Sequence, residues 1–188
     1  MKQNNLRSLC ECALFTAAAM VLSYLEIPLG ISFGGFGGSL SLVMIPLVLC
    51  AVRWGLVPGL CTGFAFGLLK YFFSGGWALN VESMLLDYTV AYMAVGLAGV
   101  LRCRANTAWL AALIGCFARF LVHFVSGITI YAAYAGPIFG IDGGCVIYSI
   151  LYNGSYMLPN TVLTVVSIAL LSYPLGKFLR CEDLRSLH

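Results

Sequence analysis

Apolar residues run along this chain in long blocks, separated by short polar or glycine-rich breaks. The blocks fall at about residues 9–26, 40–53, 56–74, 84–102, 107–128 and 146–177. A helix needs about 20 predominantly apolar residues to cross a bilayer. The blocks lack the alternation of barrel strands, and only helices or closed barrels satisfy their backbone within lipid. The pattern therefore predicts six transmembrane helices in one all-α domain spanning residues 1–188. The second block is short. The last is long, and Pro159 is expected to kink it.

Composition turns this pattern into a class. Of the 188 residues, 61% are hydrophobic and only 9% charged, against about 25% charged in a soluble domain. The chain is an integral membrane protein, with no room for a separate soluble domain. Lys2 and Arg7 before the first block resemble the start of a signal peptide. No small-residue cleavage site is followed by a soluble domain, so this block is read as the first span.

Charge placement predicts orientation. An even number of spans puts both termini on one side. Lys2, Arg7, Arg53, Arg102, Arg104, Lys177, Arg180 and Arg185 then share that side. The positive-inside bias makes it the cytoplasm of a multi-pass cell-membrane protein. The opposite loops, about 27–39, 75–83 and 129–145, carry no Lys or Arg. They are rich in glycine and aromatics, including Phe33, Phe36, Trp77 and Phe139. Such loops are either plain connectors or covers for a cavity, and exposed aromatics favour the second reading. The net charge of +3 comes without a basic run of the kind that binds nucleic acid. The eight cysteines are scattered and are read as small hydrophobes, with no metal or disulfide role expected.

Polar residues inside the blocks supply the candidate chemistry, because ionisable groups in spans usually face a cavity or the bundle interior. Arg119, His123, Gly127 and Tyr131 recur every four residues in "ARFLVHFVSGITIYAAY" and form one helical stripe. Asp87, beside Tyr88, lies in "ESMLLDYTVAY", where protonation, pairing with Arg119 or a cationic ligand would relieve its burial. Tyr148, Tyr152 and Tyr156 form a second stripe in "YSILYNGSYMLPN", with Asn153 and Asn160 nearby. Each set read alone fits core packing or an interfacial tyrosine belt as well as a site. Together they suit a flat, polar, cationic heteroaromatic ligand. Ala13 and Ala17, at four-residue spacing in "ALFTAAAM", let another helix approach closely.

The stretches 38–69, 85–101, 119–135 and 148–160, in this order, resemble the thiamine-specific substrate-binding (S) components of energy-coupling factor (ECF) vitamin transporters. The resemblance covers nearly the whole chain after residue 8. It implies a six-helix fold with thiamine near the outer face, held by aromatic rings and an acidic residue beneath a lid after the first helix. By position, Asp87, Tyr88, His123, Gly127, Tyr148 and Asn153 match the family's binding residues, and Arg119 stands where a basic residue is expected. Tyr131 replaces a frequent Trp. Phe33 or Phe36 replaces a lid Trp, and Trp77 is a further aromatic candidate. Ala13 and Ala17 match the motif that docks on the coupling membrane protein. The implied partners are that protein, two ABC-type ATPases and the bilayer. Thiamine is the ligand, and no cofactor or metal is implied.

The chemistry of the residues agrees with this. The thiazolium charge of thiamine cannot be shed by deprotonation, so a site away from water needs a counter-charge and π-faces. No G-x-x-x-x-G-K-[ST] phosphate loop is present, so ATP must be used by partners. Two alternatives compete: an S component for another vitamin or precursor, and a small intramembrane enzyme with Asp87 and His123 as acid and base. The second lacks a metal ligand set or activated nucleophile, and a non-enzymatic role is expected.

Overall fold

The computed structural model of the protein describes residues 2–28, 38–73, 78–138 and 140–185. Among these residues the chain forms six principal helices. They are α1 (Lys2–Ser23), α2 (Met44–Trp54), α3 (Leu56–Phe73), a composite α4 (Val81–Leu101), α5 (Ala108–Thr129) and α6 (Gly144–Ser172). Two one-turn helices follow, α7 (Gly176–Leu179) and α8 (Glu182–Arg185). A two-residue antiparallel pair, β1 (Ile27–Pro28) with β2 (Ser39–Leu40), joins the ends of the α1–α2 connection.

Five helices are long and apolar enough to cross a membrane. The exception is α2, with 11 residues, or about 16 Å at the usual rise per residue. It compensates by sitting inside the bundle: ten of its residues are buried. Met44, Leu47 and Val48 pack with Phe66, Tyr92, Val95 and Ala112 to form the centre of the core. Helix α6 ends at Ser172 rather than near 177, and runs without interruption through Pro159.

Close approach of helices depends on small residues, because burying lipid-like surface against itself adds little in a bilayer. Gly59, Gly63 and Gly67 form such a seam on α3. A Cβ added to Gly63 would lie 2.2 Å from the Tyr92 carbonyl oxygen on α4. The packing fixes how α4 turns its face toward α5. Within α4 the residues Leu85–Val90 form a π-helical segment containing Asp87. Such wide turns are rare and occur frequently at functional sites.

The end of the bundle formed by the start of α1, the end of α2 and α7–α8 is closed by charge. Arg53 is fully buried. Its Nη2 donates to Asp183 Oδ2 at 2.8 Å and to Glu11 Oε1 at 3.1 Å, and Nη1 donates to the Phe178 carbonyl at 2.8 Å. Its guanidinium also lies 3.7 Å from the Phe178 ring centroid. Arg7 binds both Glu11 and Asp183. Beside this network Cys103 and Cys181 are joined by a disulfide. This corrects the sequence expectation, because residues 78 apart meet only when α7 and α8 fold back under the bundle.

Candidate ligand-binding site

Toward the opposite end, α4, α5 and α6 enclose a cavity of about 210 Å³. Asp87, Tyr88, Arg119, His123, Gly127, Tyr131, Tyr148 and Asn153 all line it. Three segments distant in sequence thus contribute to one cavity. Phe33, Phe36, Trp77 and Phe139 lie outside the described residues.

Asp87 organises one pole. The π-helical turn presents its carboxyl to α5, where Oδ1 lies 3.4 Å from His123 Nδ1. Tyr131 lies just beyond the end of α5, and its hydroxyl donates to Asp87 Oδ2 at 3.0 Å. Burial, followed by the nearby Asp87, pushes the Tyr131 phenol above its ordinary range, so the hydroxyl remains a donor at neutral pH. The four-residue spacing from Arg119 to Tyr131 therefore reaches the same wall, although the helix stops at Thr129.

Arg119 occupies the other pole and does not pair with Asp87. Nη2 donates to the Tyr92 hydroxyl at 3.1 Å, Nη1 meets Met44 Sδ at 3.2 Å, and Cζ lies 4.2 Å from the Tyr92 ring centroid. Among the described residues no carboxylate lies within ion-pair distance of Arg119. A second cation, Lys70 of α3, borders the cavity and binds Glu26. Glu26 also accepts from Ser39 Oγ at 2.7 Å. These contacts tie α3 to β2 and to the residue just before β1.

Tyrosines form the aromatic wall. Tyr148 and Tyr152 stack with centroids 5.7 Å apart and planes 5° from parallel, and Tyr152 meets Tyr156 edge-on at 5.8 Å. On the facing side Tyr88 meets Tyr71 edge-on at 5.4 Å. The amide of Asn153 supports this wall from behind. Its Nδ2 donates to the His123 carbonyl at 3.2 Å and the Ser149 carbonyl at 3.0 Å, while its Oδ1 accepts from the Tyr156 hydroxyl at 2.9 Å. Asn160 lies away from the cavity wall: Nδ2 donates to the Ser39 carbonyl at 2.7 Å and Oδ1 accepts from the Ser41 amide at 2.9 Å. It clasps the β2 strand to α6.

Gly127 has a definite steric role. A Cβ there would lie 2.2 Å from Ser149 Oγ, so the space beside the glycine is filled by α6. The glycine therefore sets the α5–α6 separation beside the cavity.

Buried polar atoms without partners are unusual in folded proteins. Those found among the described residues are Thr89 Oγ1, Arg119 Nε, His123 Nε2 and Ser126 Oγ. Arg119, His123 and Ser126 all line the cavity. The cavity thus joins an acidic pole, an aromatic wall and a cationic pole, with hydrogen-bonding capacity left unused inside it. This arrangement suits binding. No group of three or more His, Cys, Asp or Glu side chains among the described residues could hold a metal.

Sequence reasoning did not select Glu26, Lys70, Tyr92, Ser126 or Ser149 as site residues. For Lys70 a signal existed: it is a charge inside the apolar run "GLLKYFF". Tyr92, Ser126 and Ser149 gave none, since their types are common on packed helix faces.

Known proteins place this cavity in context. Residues 9–179 match the model of the thiamine transporter protein family (Thia_YuaJ). The chain is similar to the thiamine transporter ThiT of Bacillus subtilis, with 30% identity over 93% of this chain and 94% of that protein. It is also similar to ThiT of Lacticaseibacillus paracasei, with 32% identity over 86% and 84%. A solved structure of ThiT from Listeria monocytogenes superposes with a TM-score of 0.80 at 28% identity, covering 94% of this chain and 98% of that one. With a family match across most of its length and the same helical fold as a solved member, this multi-pass membrane chain belongs to the thiamine transporter protein family, a family of transporters rather than enzymes.

Proposed function

We propose that the chain is the thiamine-binding S component of an ECF-type importer, capturing the vitamin from outside with high affinity. The observation that carries this reading is the pairing of Asp87 with a tyrosine wall in one cavity. Asp87 supplies the counter-charge that a permanent thiazolium requires, and stacked tyrosines supply π-faces worth about 0.5–2 kcal/mol each toward a cation. His123 Nε2 and Ser126 Oγ are available to the aminopyrimidine. Arg119, remote in role from the cation, suits the neutral hydroxyethyl oxygen through its unused Nε.

The remaining features support transport in partnership. The chain has no phosphate-binding loop of its own, so the coupling membrane protein and two ATPases supply the energy. Ala13 and Ala17 are exposed on α1, where a partner helix can approach closely. The basic end of the bundle faces the cytoplasm and the cavity opens outward.

The test is equilibrium titration of the purified protein with thiamine, its phosphates and a panel of other vitamins. Thiamine is expected to bind tightly and raise the melting temperature by mass action. Binding of a different vitamin with no response to thiamine would sink the assignment. Copurification with the coupling protein, lost on Ala13→Trp or Ala17→Trp while thiamine binding persists, tests the docking face.

A further inference from the structure

At the end of the bundle remote from the cavity, two cysteines meet in a setting that the binding role does not use. We infer that Cys103 and Cys181 form a reversible thiol–disulfide site, which fastens the α7–α8 segment to the α1–α2 end of the bundle according to the redox state of its compartment.

The backbone is arranged for this pair. Cys103 and Cys181 have φ of 57° and 58°, the two positive values found for non-glycine residues among those described. A non-glycine residue held in this left-handed region is strained, and packing around it must offset that cost. Each cysteine follows a helical segment, Gly96–Leu101 in one case and α7 in the other. The Cys103 amide donates to the Val52 carbonyl at 2.8 Å and the Cys181 amide to the Phe178 carbonyl at 3.1 Å. These bonds hold the Cα atoms 5.5 Å apart, inside the range a disulfide needs. Both sulfurs lie near the Arg53 carbonyl oxygen, at 3.9 and 3.3 Å.

The pair has an entry and a buried member. Cys103 is partly exposed, whereas Cys181 is 3% exposed. A low-molecular-weight disulfide can supply the oxidising equivalents. The Cys103 thiolate attacks it, releasing one small thiol and forming a mixed disulfide. Cys181, having lost its proton, then displaces the second small thiol. Two protein thiols are oxidised and one small disulfide is reduced to two thiols. Excess small thiol reverses both steps.

The bond acts on Arg53. Half of that cation's charge partners come from α8, through Asp183, and half from α1, through Glu11. Oxidised, the site holds Asp183 against Arg53. Reduced, α7 and α8 are held by the ion pairs of Asp183 with Arg53 and Arg7, by the Phe178 contacts and by the buried Leu179 and Leu184, without the covalent link.

The experiment compares the folded, full-length protein after treatment with glutathione disulfide and after dithiothreitol. Peptide mapping without reduction is expected to show a Cys103–Cys181 link that dithiothreitol removes. The oxidised form is expected to melt roughly 5–10 °C higher and to exchange amide hydrogens more slowly over residues 176–185. Cys103→Ser and Cys103→Ala should each abolish the link and the shift, with thiamine titration unchanged. No Cys103–Cys181 link in the folded protein, a link in its place between Cys12 and Cys50, whose sulfurs lie 3.5 Å apart, or a melting shift that persists in both Cys103 variants would overturn the inference. Because thiamine binding is read separately, its failure would count against the proposed ligand and leave the redox result intact.

Discussion

The two ends of this bundle both bury charge in an apolar protein, but they satisfy it in opposite ways. At the basic end, Arg53 is enclosed by two carboxylates, a carbonyl and an aromatic ring. At the other end, Arg119 has a hydroxyl, a thioether and a ring, and His123 and Ser126 keep polar atoms unused. A saturated network holds a fold. An unsaturated one around a cavity leaves binding capacity for something that arrives later.

The largest expected effect comes from breaking the saturated end. Arg53→Met leaves Glu11 and Asp183 without their buried cation and should cost about 3–5 kcal/mol of stability, seen as a large drop in melting temperature in detergent. The folded fraction should still bind thiamine with near wild-type affinity. Loss of affinity in proportion to stability would show that the two ends are not separate devices.

Asp87→Asn attacks the other end and should invert that pattern. Thiamine affinity should fall tenfold or more, from loss of a charge-assisted contact worth about 1.5–3 kcal/mol, with little change in melting temperature. Isothermal titration beside a thermal melt measures both. Unchanged affinity would remove Asp87 from the site.

Tyr131→Phe is a finer probe. It deletes the hydroxyl that donates to Asp87 and should weaken binding by about 0.5–1.5 kcal/mol, a few-fold in Kd. An effect as large as that of Asp87→Asn would mean that the hydroxyl itself contacts the ligand.

The smallest effect is a pH dependence at the basic end. Hydrogen bonding and charge from Arg53 hold the Asp183 carboxyl down at about 2, below its ordinary 3.8. A depressed folded-state value stabilises the protein above the unfolded value, and the contribution is lost as pH falls through the folded one. Asp183→Asn should therefore melt slightly lower than wild type at neutral pH, and the gap should close as pH drops from 3.8 toward 2. Asp183 is partly exposed, so the gap is small and salt-sensitive. A gap that persists at the acid end would assign the loss to hydrogen bonding rather than charge.

Membrane insertion and helix positions were legible in the chain because hydrocarbon imposes a one-dimensional rule, about 20 apolar residues per crossing. The second block, short in the sequence, is the 11-residue α2, buried within the bundle. The stripe from Arg119 to Tyr131 was legible because helix geometry alone puts residues four apart on one face. Asp87 and the tyrosines of α6 stood out because lipid makes polar residues conspicuous.

What those residues do to one another was decided in three dimensions. The choice of Tyr131 and His123, rather than Arg119, as the companions of Asp87 depends on a π-helical turn whose register no local preference announces. Gly127 is one position of a stripe in one dimension, and only in three does it become the close contact with Ser149. The Cys103–Cys181 bond joins segments 78 residues apart, and spacing alone cannot pair eight scattered cysteines. The sequence alone determined which segments enter the membrane and which side chains lipid would not tolerate, since both follow from solvation residue by residue. Only the tertiary structure decided which of those side chains satisfy each other and which remain open, because a hydrogen bond requires a partner at a particular distance and direction.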